Sequence, residues 1–81
     1  MAFQVPITFG PTAITTADRV ARAHADGFAW QNWFSGDDAD APASWRSLID
    51  MCVDGTMTAH PRAYERVLRA HPRPKSCRAQ F

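Results

Sequence analysis

The sequence has little of what marks a membrane protein, a phosphate-binding enzyme or a disulfide-rich domain. Its uninterrupted apolar runs are only a few residues long, whereas a bilayer-spanning helix needs about 20. Four scattered glycines cannot form a glycine-rich phosphate loop. Two cysteines are too few for a disulfide framework. With 46% hydrophobic and 21% charged residues, the 81 residues predict one small globular domain, residues 1–81, that has no membrane contact.

The chain has almost no net charge, but its acidic and basic residues are unevenly distributed. The net charge is +1. Residues 1–54 carry three arginines against seven aspartates, which gives −4, and residues 55–81 carry six basic residues against one glutamate, which gives +5. The chain is therefore an acidic body with a basic end, and such an end is typical of a contact with an acidic protein or with nucleic acid.

The amino-terminal segment lacks the pattern of a signal peptide. Residues 1–17 have no charged side chain and are interrupted by Pro6, Gly10 and Pro11, so no basic region precedes an unbroken apolar stretch. We therefore expect a cytoplasmic protein in which Cys52 and Cys77 are reduced.

The patterns of apolar residues predict a mainly α fold: a small three-helix domain with an extended arm at residues 1–14. Apolar and polar residues alternate at residues 3–9, and Pro6 cannot donate a hydrogen bond to a neighbouring strand. This arm is therefore an edge strand that has no obvious partner in the chain, and it could form a homodimer by pairing with a second copy. The apolar side chains that would share one face of the arm are Phe3, Val5, Ile7 and Phe9.

Three helices are predicted after the arm. The first begins at an N-cap, Thr15, and a second is predicted to begin at Asp40 and to end at Gly55. Residues 28–34 fit either a helix or a strand, and we favour a helix that continues the first one through Gly27. The third helix begins near Pro61 and ends before residues 72–81, a mobile basic tail. The clearest helical spacing, i, i+3, i+4 and i+7, is that of Trp45, Leu48, Ile49 and Cys52.

The sequence contains no recognisable catalytic or metal-binding motif. Cysteine and histidine residues at C-x7-H-x10-H-x5-C spacing lack the short knuckles of a zinc site. There is no nucleophile elbow, and the carboxylates at Asp37, Asp38 and Asp40 are explained by a solvated loop and a helix cap. We therefore predict a protein that is not an enzyme and that has no metal and no cofactor.

Two groups of residues are candidates for binding a partner. The first is a run of aromatic side chains beside the acidic loop, and the second is a stripe of arginines along the third helix. Exposed aromatic residues beside arginines are typical of binding hot spots. The candidate residues are Trp30, Trp33, Phe34, Arg62, Arg66, Arg69 and Arg73.

These observations predict a protein-binding module that acts as a small adaptor or inhibitor and that recognises a protein with an acidic surface. One hypothesis is that a phage or another mobile element encodes it and that it blocks a host enzyme or defence complex. The alternative is a nucleic-acid-binding accessory protein or transcription regulator that uses the third helix and the basic tail.

Overall fold

The computed structural model describes residues 2–36 and 38–80, and it describes side chains as far as Cys77. Met1, Asp37 and Phe81 lie outside the described residues, and Asp37 is one of the three carboxylates considered above. Within the described part of the chain there are three α-helices, five short strands and a carboxy-terminal 3-10 helix. In chain order they are β1 (Ala2–Pro6), β2 (Thr8–Phe9), β3 (Thr12–Ala13), α1 (Ala17–Ala25), β4 (Ala29–Trp33), α2 (Pro42–Asp50), β5 (Gly55–Thr56), α3 (Pro61–Ala70) and the 3-10 helix Lys75–Gln80.

The centre of the fold is a parallel sheet, so the prediction of a mainly α protein is wrong. Among the described residues the sheet has three strands in the order β1-β4-β5. Helix α1 connects β1 to β4, and α2 connects β4 to β5, so the chain forms two consecutive βαβ units. Phe3 lies beside Trp30, and Asn32 lies beside Thr56. The fold is therefore an α/β mixture, and the extended segment at residues 3–6 has a partner strand within the chain.

The helix predicted for residues 28–34 is a strand because α1 ends before it. Gly27 has φ +83°, a left-handed conformation that glycine adopts without strain. Its N–H bonds to the carbonyl of His24, and the N–H of Phe28 bonds to the carbonyl of Ala23, which together form a Schellman motif. The chain then leaves in extended form, with Trp30 and Asn32 buried on one face of β4.

Helix α2 has the buried face that its spacing predicts, but its ends differ from the prediction. Trp45, Leu48 and Ile49 are buried. The N-cap is Ala41 rather than Asp40. The left-handed residue after the helix is Cys52, with φ +67°, rather than Gly55, which lies in β5.

The core lies between α1, α2 and one face of the sheet. Helix α3 packs against α2 through half-buried residues, and the rings of Tyr64 and Trp45 lie 5.7 Å apart. The helices therefore cover the face of the sheet that carries Trp30, and the opposite face carries the exposed Gln4 and Trp33. The core residues are Val20, Ala23, Trp30, Leu48, Cys52, Val53 and Cys77.

The two cysteines form a disulfide, so the prediction of reduced thiols is wrong. Cys52 follows α2, Cys77 lies in the 3-10 helix, and their Cα atoms are 5.3 Å apart. Both are nearly inaccessible to solvent. The disulfide therefore fixes one point of residues 72–81 to the core, and the mobility of the rest of that segment stays a prediction.

Among the described residues the longest helix, α3, has ten residues, so none could cross a bilayer.

Candidate functional site

The structure separates the three aromatic residues that the sequence marked for partner binding. Trp30 is only 6% exposed and belongs to the core, and Phe34 is half-buried against it. Trp33 is 38% exposed on the face of the sheet opposite the helices, where its indole Nε1 donates to the carbonyl of Gln4 at 3.3 Å. Of these three, Trp33 is therefore the one whose ring a partner can reach broadly.

The predicted arginine stripe is shorter than the sequence suggested. Arg62, Arg66 and Arg69 are exposed on α3, and Arg69 lies 3.7 Å from Glu65 one turn earlier. Arg73 lies beyond the end of α3, and its guanidinium is bound within the chain although the side chain is 39% exposed. Its Nη2 donates to the carbonyl of Cys52 at 2.9 Å and lies 3.5 Å from Asp54.

These aromatic and basic residues do not form one surface. Helix α3 packs on α2, which covers the face of the sheet that carries Trp30, whereas Trp33 extends from the opposite face. A contact that uses Trp33 and the α3 arginines together would have to reach both sides of the molecule.

A different set of residues combines exposed aromatic surface with positive charge. A groove of about 240 Å³ runs between α1 and β1. Its floor is Phe3, Ala23 and Trp30, and its rim is three side chains of α1: Arg19, Arg22 and Asp26. The ring of Phe3 packs at a tilt against Trp30, with the two ring centroids 5.8 Å apart, yet Phe3 remains 43% exposed. The groove therefore offers apolar area that is already held in place.

The two arginines on the rim differ in their freedom. Nη1 of Arg19 donates to the carbonyls of Ala13 and Ile14, at 3.1 Å each, which fixes its guanidinium. Arg22 is exposed and forms no hydrogen bond or ion pair with any residue that the structure describes. Its guanidinium is therefore available to an anion from outside, and guanidinium binds carboxylate with two parallel hydrogen bonds.

The groove lies at an edge of the sheet. Strand β1 pairs with β4 on one side, and no other strand of the described chain pairs with its second side. An edge of this kind presents backbone N–H and C=O groups that can pair with another chain.

Sequence reasoning missed this groove, although two signals were present. Arg19, Arg22 and Asp26 are spaced i, i+3 and i+7, so they share one side of a helix. Phe3 lies in an alternating segment, where it shares one face with Val5 and Ile7. What the sequence does not contain is the fact that α1 crosses over β1 and brings the two together.

The predicted carboxylate loop has a structural role. Asp38 accepts hydrogen bonds from the backbone of Ile7 and Ser35 and, at 2.6 Å, from the hydroxyl of Thr8. Asp40 accepts from Nε1 of Trp45, the hydroxyl of Thr58 and the backbone of Ala59. Each carboxylate thus joins segments distant in sequence, and this use of their oxygens leaves little capacity for a metal ion or a substrate.

Hydrogen bonding sets the pKa of both carboxyl groups. Burial alone would raise the pKa of Asp38, but the hydrogen bonds from Thr8, Ser35 and Ile7 outweigh it, and the pKa lies below the ordinary value of 3.8. Burial likewise acts to raise the pKa of Asp40, and the bonds from Thr58, Ala59 and Trp45, together with the charge of His60, lower it.

Acidification is therefore expected to destabilise the fold through Asp38 and Asp40. A carboxyl group whose pKa is lower in the folded state stabilises the protein above its unfolded pKa, and that contribution is lost as the pH falls through the folded pKa. The urea midpoint should fall as the pH is lowered from about 5 to about 3. The measurement is a set of urea titrations across this range for the wild type and for Asp38→Asn.

Asp38→Asn should start from a lower midpoint and lose less of it on acidification than the wild type. The matched control is Asp18→Asn, at an exposed position in the first turn of α1, which should keep the wild-type acid response. An unchanged acid response in Asp38→Asn would contradict this role.

A histidine–aspartate pair, His24 and Asp54, lies at the other end of β4 from the Asp38 loop, and its histidine is buried. The ring Nε2 of His24 is 2.6 Å from Oδ2 of Asp54, and the same oxygen accepts from the backbone N–H of Trp30 at 2.7 Å. The His24 side chain has no exposed surface. The pair connects α1, β4 and the start of β5, and its burial keeps a substrate from the imidazole.

The other residues considered for chemistry are also engaged. Cys52 and Cys77 are bonded to each other, and His71 lies 2.7 Å from Asp50. Among the described side chains no three of histidine, cysteine, aspartate and glutamate lie together as ligands for a metal ion. No protein-family model and no curated protein matches the sequence.

Proposed function

We propose that the protein is a non-enzymatic binding module, an adaptor or inhibitor, that holds an acidic segment of a partner protein in the groove between α1 and β1. The observation that carries this proposal is that one groove is lined by both the exposed ring of Phe3 and Arg22, whose guanidinium has no partner among the described residues. Aromatic and arginine side chains dominate the energetics of protein interfaces. An aromatic ring buries a large area although it has few rotatable bonds, and arginine forms paired hydrogen bonds with a carboxylate.

The arginines of α3 have a supporting role in this proposal. Arg62, Arg66 and Arg69 raise the positive potential of the molecule, which speeds the approach of an acidic partner without a fixed contact. Trp33 and Phe34 remain candidates for a second contact area, of which Trp33 has the larger exposed surface.

The disulfide bears on where the protein works. Disulfides persist mainly in oxidising compartments, which argues against the cytoplasmic location that the sequence predicted. We propose a working location in which the Cys52–Cys77 bond is maintained. The proposed origin from a phage or mobile element is independent of this point.

Charge reversal at Arg22 tests the proposed function. The unmodified protein is immobilised, proteins bound from the native cell are identified, and the dissociation constant of each is then measured with purified components. Arg22→Glu is expected to weaken a true partner by about tenfold, because it replaces a favourable charge contact with a repulsive one.

The matched control is Arg66→Glu, which reverses an exposed arginine of α3 that has no ion pair with the described residues. It should change the dissociation constant by less than about threefold, since a charge distant from the contact acts mainly on the association rate. Loss of binding in Arg66→Glu with normal binding in Arg22→Glu would contradict the groove as the site.

Nucleic-acid binding is the second candidate, because Arg62 and Arg66 are exposed on α3 and form no ion pair with the described residues. Such a function requires binding to a generic duplex or single strand that weakens steeply with salt, by nearly one unit of log affinity per unit of log salt for each phosphate contacted. Tight, salt-sensitive binding that Arg66→Glu abolishes would favour this candidate over a protein partner.

A further inference from the structure

We infer that the partner segment binds in extended form as an additional strand on β1. It places an apolar side chain on Phe3 and Trp30 and an acidic side chain, two positions away, against Arg22. This inference rests on the proposed function, which it deepens by naming the conformation and the sequence pattern of the partner.

The free side of β1 is the first argument for an added strand. Alternate residues of an edge strand direct their N–H and C=O groups outward, and an extended peptide satisfies them in the way a neighbouring strand would. Pro6 ends β1 and has no N–H to donate, so the available edge is short and lies at Ala2 to Val5. An added strand of about four residues fits this length.

The spacing of the rim is the second argument. Because α1 connects two parallel strands, it runs antiparallel to β1, so Asp26 lies towards the start of β1 and Arg19 towards its end. Arg22 and Asp26 are four residues apart, about 6 Å along a helix. Side chains on the same face of a strand are two residues apart, about 6.6 Å. An added strand can therefore match successive side chains to successive groups on the rim.

The charges on the rim set where the acidic side chain of the peptide lies along β1, for either direction of the peptide. An acidic side chain is favoured beside Arg22 and Arg19 and disfavoured beside Asp26, and the apolar floor lies next to them. In the parallel orientation the pattern is apolar-x-acidic, and in the antiparallel orientation it is acidic-x-apolar. Like charges across an interface are costly, so a second acidic residue at the Asp26 end should be rare.

Selection from a library of random linear heptapeptides tests the pattern. The full-length oxidised protein is the bait, and Arg46→Glu, at an exposed arginine of α2 outside the groove, is the matched control bait. Both should enrich an apolar and an acidic residue separated by one position. Arg22→Glu should instead enrich a basic residue at the acidic position, and an acidic peptide selected on the wild type should bind Arg22→Glu about tenfold more weakly.

Amide hydrogen exchange tests the strand. Adding the selected acidic peptide should slow exchange of the outward-facing amides of β1, because they gain partners. Binding of the peptide without slower exchange of the β1 amides would overturn the added strand. Two results of the selection would also overturn it: helical spacing of the selected residues, or no more enrichment of acidic residues on the wild type than on Arg22→Glu. Retention of a folded partner protein by the wild type in those cases would leave the proposed function standing.

A second copy of this chain is the competing occupant of the edge. It would form the homodimer that the sequence predicted through residues 3–9. Light scattering at high concentration separates the two. A dimer that protects the same amides, and that the selected peptide does not dissociate, would overturn the inference.

Discussion

Reduction of the Cys52–Cys77 disulfide is expected to lower the free energy of unfolding by about 3–4 kcal/mol. The bond closes a loop of 25 residues, and removing such a constraint restores conformational entropy to the unfolded chain. A domain of this size has a total stability of only about 4–12 kcal/mol. The melting temperature should therefore fall by about 15–25 °C, as measured by circular dichroism with and without a phosphine reductant.

The double variant Cys52→Ser, Cys77→Ser is the control for this prediction. It should melt near the reduced wild type and should not respond to the reductant. A double variant that melts at the temperature of the oxidised wild type would show that the bond contributes nothing to stability.

The disulfide also bears on the groove. Cys77 packs in the same cluster as Val20 and Ala23 of α1, and Ala23 is part of the groove floor. Loosening this cluster is expected to weaken binding of an acidic peptide in parallel with the loss of stability. The disulfide and the groove are therefore connected through α1.

The contrast between α2 and β4 shows what the sequence could predict. The spacing of Trp45, Leu48 and Ile49 is a local pattern, and it places these residues in the core. The apolar residues of β4 fit both a helical and an extended period. The choice is made by the left-handed Gly27 and by pairing with β1, which lies 27 residues earlier at Phe3 and Trp30. Strand pairing between residues so far apart leaves no pattern in the local sequence that would predict it.

The candidate site was hidden for a related reason. Arg62, Arg66 and Arg69 are conspicuous because successive turns of one helix display them. The groove requires Phe3 from β1 and Arg22 from α1, and their proximity follows from the βαβ crossover. A sequence interpreted as three helices with a free arm has no such crossover. The error in fold class therefore caused the omission of the site.

Thr15→Val is expected to lower the free energy of unfolding by about 3 kcal/mol, although valine and threonine have nearly the same shape. The hydroxyl of Thr15 donates to the carbonyl of Pro6 at 2.9 Å and accepts from Nε1 of Trp30 at 3.2 Å and Nδ2 of Asn32 at 2.6 Å. Thr15 is 4% exposed, so these groups would lose a partner in a place that water does not readily reach. Each buried polar group left without its partner costs about 1–3 kcal/mol.

Thr16→Val is the matched control because it makes the same change one residue later. Thr16 rather than Thr15 is the N-cap of α1, and its Oγ1 accepts from the N–H of Arg19 at 3.2 Å. Loss of this exposed cap should cost about 1 kcal/mol, since water can replace the lost bond. Urea titrations of the two variants measure the difference. Equal losses would contradict the buried network, whereas the larger loss in Thr15→Val would show that this hydroxyl connects β1, β4 and the start of α1, the three segments that frame the groove.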